Sequence, residues 1–268
     1  MLRSGTAGTL PERPSSSSPV AAPAIPFDAE REAAELRDYL GDAYDHARLE
    51  RYEEQLEAEL DSLGDEQLLY RRSEAYLYNL TAFAMTGTKL PYLRDLTRLV
   101  APGARVLDYG CGIGSDGLLL LELGYRVEFA DFDNPSTRYL RWRLERRGLE
   151  APVHDLDAGA PPTGFDLAYA FDVIEHVSDA FRFLAAMETA AAMVLVNLLE
   201  PEEGETALHR QLPLRAILDR AQARGLARYR RYHERSHLVA YGGRGVGWPE
   251  RIRSQLALRA GLRRAAVR

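Results

Sequence analysis

The chain of 268 residues contains a single cysteine, Cys111. One thiol cannot form an internal disulfide framework, and it cannot supply the several cysteines of a compact metal-binding motif. Three histidines of the C-terminal part, His209, His233 and His237, also follow no compact ligand spacing. The sequence therefore predicts no metal site.

Long apolar runs are absent too. No segment approaches the ~18–20 apolar residues of a membrane-spanning helix. The first residues lack the basic and then apolar order of a secretory signal. We expect a cytoplasmic protein without membrane contact.

Positive charge is not in excess, since 34 Lys and Arg stand against 40 Asp and Glu and give a net charge of −6. A dedicated nucleic-acid binder usually carries a basic surface. The stretch from Trp248 onward is rich in arginine, and such a run usually forms a solvated helix face. We therefore expect no nucleic-acid partner.

Composition and periodicity divide the chain into four parts. Residues 1–26 are rich in Ser, Pro and Ala, and predict a flexible tail. Residues 27–100 have helical periodicity and predict an N-terminal helical lid. Residues 101–247 alternate strands and helices, which predicts a mostly parallel sheet with helices on both faces. Residues 248–268 predict a basic helix or tail.

Within the predicted lid, the pattern favours three long helices and a shorter fourth. One should carry the apolar stripe from Leu36 to Ala47, a second should end at Gly64, and a third should span about 65–84. Pro91 suits the first turn of the fourth helix. Further on, Asn134 and Ser178 are expected to cap helices of the core.

The most informative segment is VLDYGCGIGSDGLLLLELGYRVEFAD, residues 106–131. A short strand ends at Asp108, a helix-period segment follows, and a second strand ends at Asp131. Between Asp108 and the helix stand three alternate glycines, Gly110, Gly112 and Gly114. Glycines allow close approach of backbone N–H groups, a helix N-terminus favours a carboxylate, and an acid after the second strand suits a ribose. The segment predicts a nucleotide-type cofactor.

The glycine spacing separates two cofactor classes. A dinucleotide loop has the pattern G-x-G-x-x-G, whereas this chain has G-x-G-x-G, with Ser115 at the last dinucleotide position and Asp108 as an additional acid. The segment resembles motif I of the class I S-adenosylmethionine (SAM) dependent methyltransferases, small-molecule type. FDLAYAFDVIEHVSD at 165–179 is similar to the fourth strand and following turn of that family, and MVLVN at 193–197 resembles its fifth strand.

The resemblance covers roughly residues 100–241 and implies a seven-stranded, mostly parallel Rossmann-like sheet that binds SAM. It implies that Asp108 meets the ammonium of the cofactor, that Asp131 accepts from the ribose hydroxyls, and that Phe171 offers a π face to the sulfonium. The expected cofactor-binding residues are Asp108, Gly110, Cys111, Gly112, Gly114, Asp131, Phe132, Asp155, Leu156, Phe171 and Asp172. Phe132 is an adenine contact or a core aromatic, and Asp157 is the alternative to Asp155 for the adenine amino group.

The candidate catalytic residues are Glu175, His176 and His209. Glu175 and His176 form either an acid/base pair or a structural pair in which the histidine is hydrogen-bonded under the sheet edge. His209 follows the fifth strand and is a candidate proton acceptor. The candidate substrate-binding residues are Tyr76, Tyr78, Lys89 and Asn197, although Lys89 is equally compatible with an ordinary surface lysine.

These residues favour in-line methyl transfer to a small-molecule acceptor, for example a secondary metabolite. The main alternative is a cyclase that closes the aminobutyrate part of SAM and releases methylthioadenosine. A non-catalytic SAM-binding protein and a nucleic-acid or protein methyltransferase are further alternatives, the latter supported only by the basic C-terminal helix. The helices before residue 100 are also a candidate homodimer interface.

Overall fold

The computed structural model describes residues 24–200, 208–243 and 248–265, so the predicted tail lies almost entirely outside the described residues. Seven strands form a single sheet. They are β1 Arg105–Tyr109, β2 Arg126–Asp131, β3 Val153–Asp155, β4 Phe165–Ala170, β5 Ala191–Leu199, β6 Leu226–Tyr232 and β7 Ser236–Gly242. Their order is β3-β2-β1-β4-β5-β7-β6, and only β7 runs antiparallel to its neighbours. The predicted fold class is confirmed.

In the part of the chain that the structure describes, six α-helices precede β1 and five follow it. The first six are α1 Ala29–Leu40, α2 His46–Glu50, α3 Tyr52–Leu63, α4 Glu66–Arg72, α5 Ala75–Met85 and α6 Leu90–Leu99. The others are α7 Ser115–Glu122, α8 Pro135–Arg146, α9 Ala180–Ala190, α10 Leu214–Ala223 and α11 Trp248–Ala265. Within the described ranges, none of them combines the length and apolar character needed to cross a membrane.

Apolar side chains cover both faces of the sheet. Residues of α9 and α10, among them Leu184, Met187 and Ile217, pack on one face. Residues of α6, α7 and α8, among them Leu96 and Leu118, pack on the other. Because the central strands are buried on both sides, they are continuous apolar runs rather than alternating ones.

Two of the predicted lid helices are broken in the structure. The helix expected through Leu36–Ala47 stops at Gly41, whose φ of 54° is left-handed, and Asp45 then caps α2 by accepting from the backbone N–H of Ala47. The helix expected over 65–84 is interrupted at Ser73, which is extended (φ −69°, ψ 128°) and whose hydroxyl accepts from Tyr76 N–H. Such side-chain bonds to the backbone compete with helix propagation.

One cap of the core was assigned one residue too early. Asp179, and not Ser178, caps α9 by accepting from the N–H of Arg182 at 2.9 Å. The cap of α8 agrees with the prediction, since Asn134 and Thr137 form a reciprocal capping box and Pro135 opens the helix. Asparagine in such a box fixes the path of the chain directly after β2.

A buried ion network attaches the N-terminal helices to the core. Arg143 of α8 is fully buried and donates to Glu32 at 2.6 Å and to Glu35 at 2.7 Å, both on α1. Arg147 donates to Glu35 as well, at 2.7 Å. These bonds fix α1 beside the glycine loop, because Arg143 also donates to the carbonyl of Ile113 at 3.0 Å.

Candidate functional site

The glycine loop after β1 is tied directly to the end of β2. One carboxylate oxygen of Asp131 accepts from Gly112 N–H at 2.8 Å, and the other accepts from Phe132 N–H at 2.7 Å. Burial raises the pKa of Asp131, and these two N–H groups oppose the shift. A carboxylate oxygen accepts more than one hydrogen bond, so Asp131 can shape the loop and still accept from ribose hydroxyls.

Glycine is required at position 110 for two reasons. Its φ is +82°, and a Cβ there would lie 2.6 Å from Cγ1 of Val173. Gly148 has a similar φ of +62° but open space around it. Gly114 is also left-handed and directly precedes α7. The half-buried Cys111 lies between Gly110 and Gly114, and desolvation raises the pKa of its thiol.

The two glycines provide a matched test of the loop. We expect Gly148→Ala to cost about 1–2 kcal/mol for the left-handed backbone alone. Gly110→Ala should cost more and should also weaken SAM binding, because Val173 must move away from the loop. Thermal unfolding and calorimetric SAM titration of both variants measure this difference. Equal losses in the two variants would contradict the close packing of Val173 on Gly110.

Asp108 is a buried acid one residue before the end of β1. Burial, and secondarily the nearby Asp116, raise the pKa of Asp108 to about 8. Gly117 of α7 makes room for this carboxyl, since a Cβ at that position would lie 2.9 Å from Oδ2 of Asp108. Neither Asp116 nor Gly117 is among the site residues predicted from the sequence, although both follow the glycine loop directly.

Lys89 lies among these acids. Its ammonium is 3.1 Å from Asp116, and its side chain is 21% exposed. Burial lowers the pKa of Lys89, but Asp116 and Asp172 outweigh that effect and leave it raised. The interpretation as an ordinary surface lysine is therefore not supported. Lys89 also lines a small cavity beside the N-terminus of α7, together with Phe83 and Ser115.

Tyr76 of α5 joins the same group. Burial raises the pKa of its hydroxyl, the charge of Asp131 raises it further, and Glu175 and Asp172 add smaller contributions. The hydroxyl therefore lies near the acid that ends β2 and near two acids that follow β4. Tyr78, on the same helix, is not brought to them: its hydroxyl accepts from Asp45 N–H at 2.9 Å, within the N-terminal helices.

Asp172 follows β4 in a left-handed conformation, with φ of 55°, which is uncommon for a residue with a Cβ. Asn197 of β5 holds it there: Asp172 N–H donates to Asn197 Oδ1 at 2.8 Å, and Asn197 Nδ2 donates to Asp172 Oδ1 at 2.6 Å. Oδ2 of Asp172 is buried without a hydrogen-bond partner. Asn197 thus positions Asp172, and strain of this kind is often found at functional sites. The neighbouring Phe171 is buried and packs on Tyr169 and Tyr92.

The short helix α4 crosses the ends of β2 and β3. Arg71 pairs with Asp157 and places its guanidinium 4.4 Å from the ring centroid of Phe132. The pKa of Asp157 is lowered by this bond. Asp155 instead lies opposite Asp131 in the β2–β3 register. Because Asp157 is already paired with Arg71, the arrangement favours Asp155 as the adenine contact.

Other backbone and side-chain bonds complete this side of the site. Leu156 N–H donates to the carbonyl of Asp131 at 2.9 Å. Asn134 Nδ2 donates to the carbonyl of Tyr70, also on α4, at 3.1 Å. The N-terminal helices therefore lie over the carboxyl ends of the strands, where ligands of open α/β sheets bind.

The structure also brings Glu175, His176 and His209 together. Glu175 is 1% exposed, and the His176 and His209 ring centroids are 5.0 Å apart. Nδ1 of His176 lies 2.9 Å from the hydroxyl of Tyr70 and 3.1 Å from the carbonyl of Leu208. Burial lowers the pKa of His176 to about 4, so it is a weak proton acceptor and is neutral at pH 7.

The other two histidines of the C-terminal part lie elsewhere. His237 is buried between Tyr229 and Glu200. His233 has φ of 49° and lies at the turn between β6 and β7. Neither belongs to the group around His209.

Comparison with known proteins gives the family. The chain matches the family described as a methyltransferase domain over residues 52–231, more than half of its length. A ubiquinone biosynthesis O-methyltransferase from Xanthomonas euvesicatoria pv. vesicatoria is 31% identical over 123 residues, which are 44% of this chain and 47% of that relative. A ribosomal protein L11 methyltransferase from Ralstonia pickettii is 32% identical over 118 residues, 42% of this chain and 38% of that relative. The chain thus spans less than half the length of these curated relatives.

Solved structures are similar in fold. The mitomycin 7-O-methyltransferase MmcR superposes with a TM-score of 0.53 at 18% identity, over 82% of this chain and 74% of that one. The pyocyanin biosynthetic protein PhzM gives a TM-score of 0.52 at 17% identity, over 79% and 72%. The chain belongs to the methyltransferase-domain family, and its sheet has the class I, SAM-dependent architecture that residues 106–131 predict.

Proposed function

We propose that the protein transfers the methyl group of SAM to an oxygen of a small-molecule acceptor. The observation that carries the proposal is the convergence of acids from three strand ends, Asp108, Asp131 and Asp172, with Lys89 beneath the N-terminal helices. SAM carries a sulfonium and an ammonium, together with one carboxylate. Buried carboxylates favour the two cations, and Lys89 is suited to the carboxylate.

The proposed binding mode follows the order of the strands. Asp108 would face the ammonium, Asp131 the ribose hydroxyls, and Asp155 with Leu156 the adenine edge. Phe132 would pack on the adenine ring, where Arg71 now lies over it. Phe171 and Asp172, after β4, would line the sulfonium side and leave the acceptor between them and Tyr76.

The reaction is an in-line displacement. A lone pair of the acceptor oxygen forms a bond to the methyl carbon, and the C–S bond breaks with its electron pair going to sulfur, which gives S-adenosylhomocysteine. The acceptor hydroxyl loses its proton to a base, for which His209 is the candidate. Alignment and exclusion of water supply most of the acceleration in such a step.

The oxygen acceptor is supported by two relatives whose names specify O-methylation, the ubiquinone and mitomycin enzymes. The ribosomal protein L11 relative keeps a protein substrate as the second candidate. Three further properties stay predictions. They are a cytoplasmic location, the absence of nucleic-acid and membrane partners, and a homodimer through the N-terminal helices.

Isotope-labelled SAM tests this function directly. We expect the purified chain to bind SAM, and to form S-adenosylhomocysteine only when a panel of small phenols and quinols is present. Chromatography of the label identifies the products. Methylthioadenosine without an acceptor would instead indicate cyclisation, transfer only to protein would replace the small-molecule acceptor, and no binding at millimolar SAM would refute the proposal.

A further inference from the structure

The cluster of Glu175, His176 and His209, called here the Glu-His-His cluster, comes from two separate segments. Glu175 and His176 belong to a 3₁₀ turn, Ile174–His176, after β4, whereas His209 follows β5. The two segments are joined by a backbone bond, in which Arg210 N–H donates to the carbonyl of Glu175 at 2.9 Å. One nitrogen or carboxylate oxygen from each of the three side chains lies within 4.8 Å of the other two.

The surroundings of His176 determine which of its nitrogens is available. A backbone carbonyl only accepts hydrogen bonds, and the hydroxyl of Tyr70 donates its own proton to Glu66 at 3.2 Å. Nδ1 of His176, 3.1 Å from the carbonyl of Leu208 and 2.9 Å from that hydroxyl, therefore carries the proton. Nε2 then keeps its lone pair. In a metal-binding histidine, one ring nitrogen binds the metal and the other usually donates its N–H to a carbonyl or carboxylate. That hydrogen bond fixes both the tautomer and the orientation of the ring.

We propose that the Glu-His-His cluster binds a divalent transition cation such as Zn²⁺ or Mn²⁺. Two imidazoles and a carboxylate are typical ligands for these ions. Because the three atoms lie within 4.8 Å of one another, a cation between them would lie no more than about 2.8 Å from each, so inward movements of less than about 1 Å reach bonding distance.

The cluster adjoins the substrate side of the cofactor site. Asp172 lies three residues before Glu175 and interacts electrostatically with His209, and its Oδ2 is a buried oxygen without a hydrogen-bond partner. A cation here can hold the acceptor hydroxyl and favour its ionisation. This role rests on the proposed methyl transfer, whereas cation binding does not.

The spacing of His209, His233 and His237 along the sequence predicts no metal site, because these three histidines match no compact ligand pattern. The partners of His209 are instead a glutamate and a histidine more than 30 residues earlier in the sequence. Proximity of this kind depends on β4 and β5 being adjacent strands of the sheet.

Calorimetric titration of the full chain, stripped with a chelator and dialysed, tests the proposal with Zn²⁺, Mn²⁺ and Mg²⁺ as separate probes. We expect one Zn²⁺ or Mn²⁺ per chain, and binding at least tenfold weaker in His209→Ala and in Glu175→Gln. His46→Ala is the matched control: its side chain is 70% exposed and far from the cluster in sequence, and its cation affinity should equal that of the original chain. Circular dichroism establishes that each variant is folded.

Two results would overturn the proposal: no binding of any of the three cations, or binding that both cluster variants retain. SAM titration of the stripped protein separates this inference from the proposed function. Retained SAM binding with no cation binding would refute the metal site alone, whereas cation binding without SAM binding would refute methyl transfer alone.

Discussion

Replacing Arg143 by Met is expected to lower the free energy of unfolding by about 3–5 kcal/mol. Arg143 is fully buried and compensates Glu32 and Glu35, which are themselves 4% and 6% exposed. It also donates to Ser115 Oγ at 2.9 Å. Removal of the guanidinium leaves Glu32 as a buried carboxylate whose strongest cationic partner is gone, and this is more costly than the loss of the attraction itself.

Urea unfolding followed by circular dichroism measures the effect. Arg146→Met is the control on the same helix, since Arg146 pairs with Asp38 at 55% and 40% side-chain exposure, and exposed substitutions usually change stability by within about 0.5 kcal/mol. Adding Glu32→Gln to Arg143→Met should recover part of the loss. If Arg143→Met and Arg146→Met lose similar free energies of unfolding, or if Glu32→Gln recovers none of the loss, the unpaired buried carboxylate is not the main cause of the destabilisation.

The core of the fold was predictable because its signals are local. A strand, a left-handed glycine turn and a helix each depend on neighbouring residues, and the alternation from residue 105 onward leaves few topologies. The positions after each strand then converge at one edge of the sheet. For this reason the sequence predicts that Asp108, Asp131 and Asp172 lie near one another.

The N-terminal helices were less predictable because tertiary contacts decide them. The bond between Arg143 and Glu32 joins residues 111 positions apart, and no periodicity indicates such a pair. The break at Ser73 depends on a side-chain bond to the backbone, and it frees α4 to place Arg71 over Phe132. Likewise, Lys89 could be separated from an ordinary surface lysine only by its contact with Asp116.

The second large effect is expected from Asp108→Asn. Unlike Arg143→Met, this substitution should raise the free energy of unfolding. The pKa of Asp108 is raised from 3.8 to about 8 by burial and by Asp116. The folded state therefore holds this proton more tightly than the unfolded state, so the contribution of Asp108 to stability falls as pH rises from about 4 to about 8. Asparagine removes the titration. The variant should be more stable than the original chain by about 1–2 kcal/mol at pH 8, and close to it at pH 4.

The affinity of the original chain for SAM should rise with pH, whereas the contribution of Asp108 to stability falls. A cationic ligand favours the ionised carboxylate, so Asp108 must release its proton when SAM binds. The affinity for SAM should therefore rise between pH 6 and pH 8, as the proton becomes easier to remove. Asp108→Asn should lose this rise and bind SAM about 10–100-fold more weakly at pH 8, as expected for a lost charge-assisted hydrogen bond.

Titrations at pH 6, 7 and 8 in buffers of different ionisation enthalpy count the proton released. The ammonium of free SAM itself titrates near this range. Because free SAM is common to both titrations, the difference between the two proteins reports the replacement of Asp108. Asp133→Asn, at an exposed acid paired with Arg141, should retain both the affinity and the proton release of the original chain. An Asp108→Asn protein that is stabilised at pH 8 but binds SAM unchanged would show that this acid is a buried structural group and that the ammonium is held elsewhere.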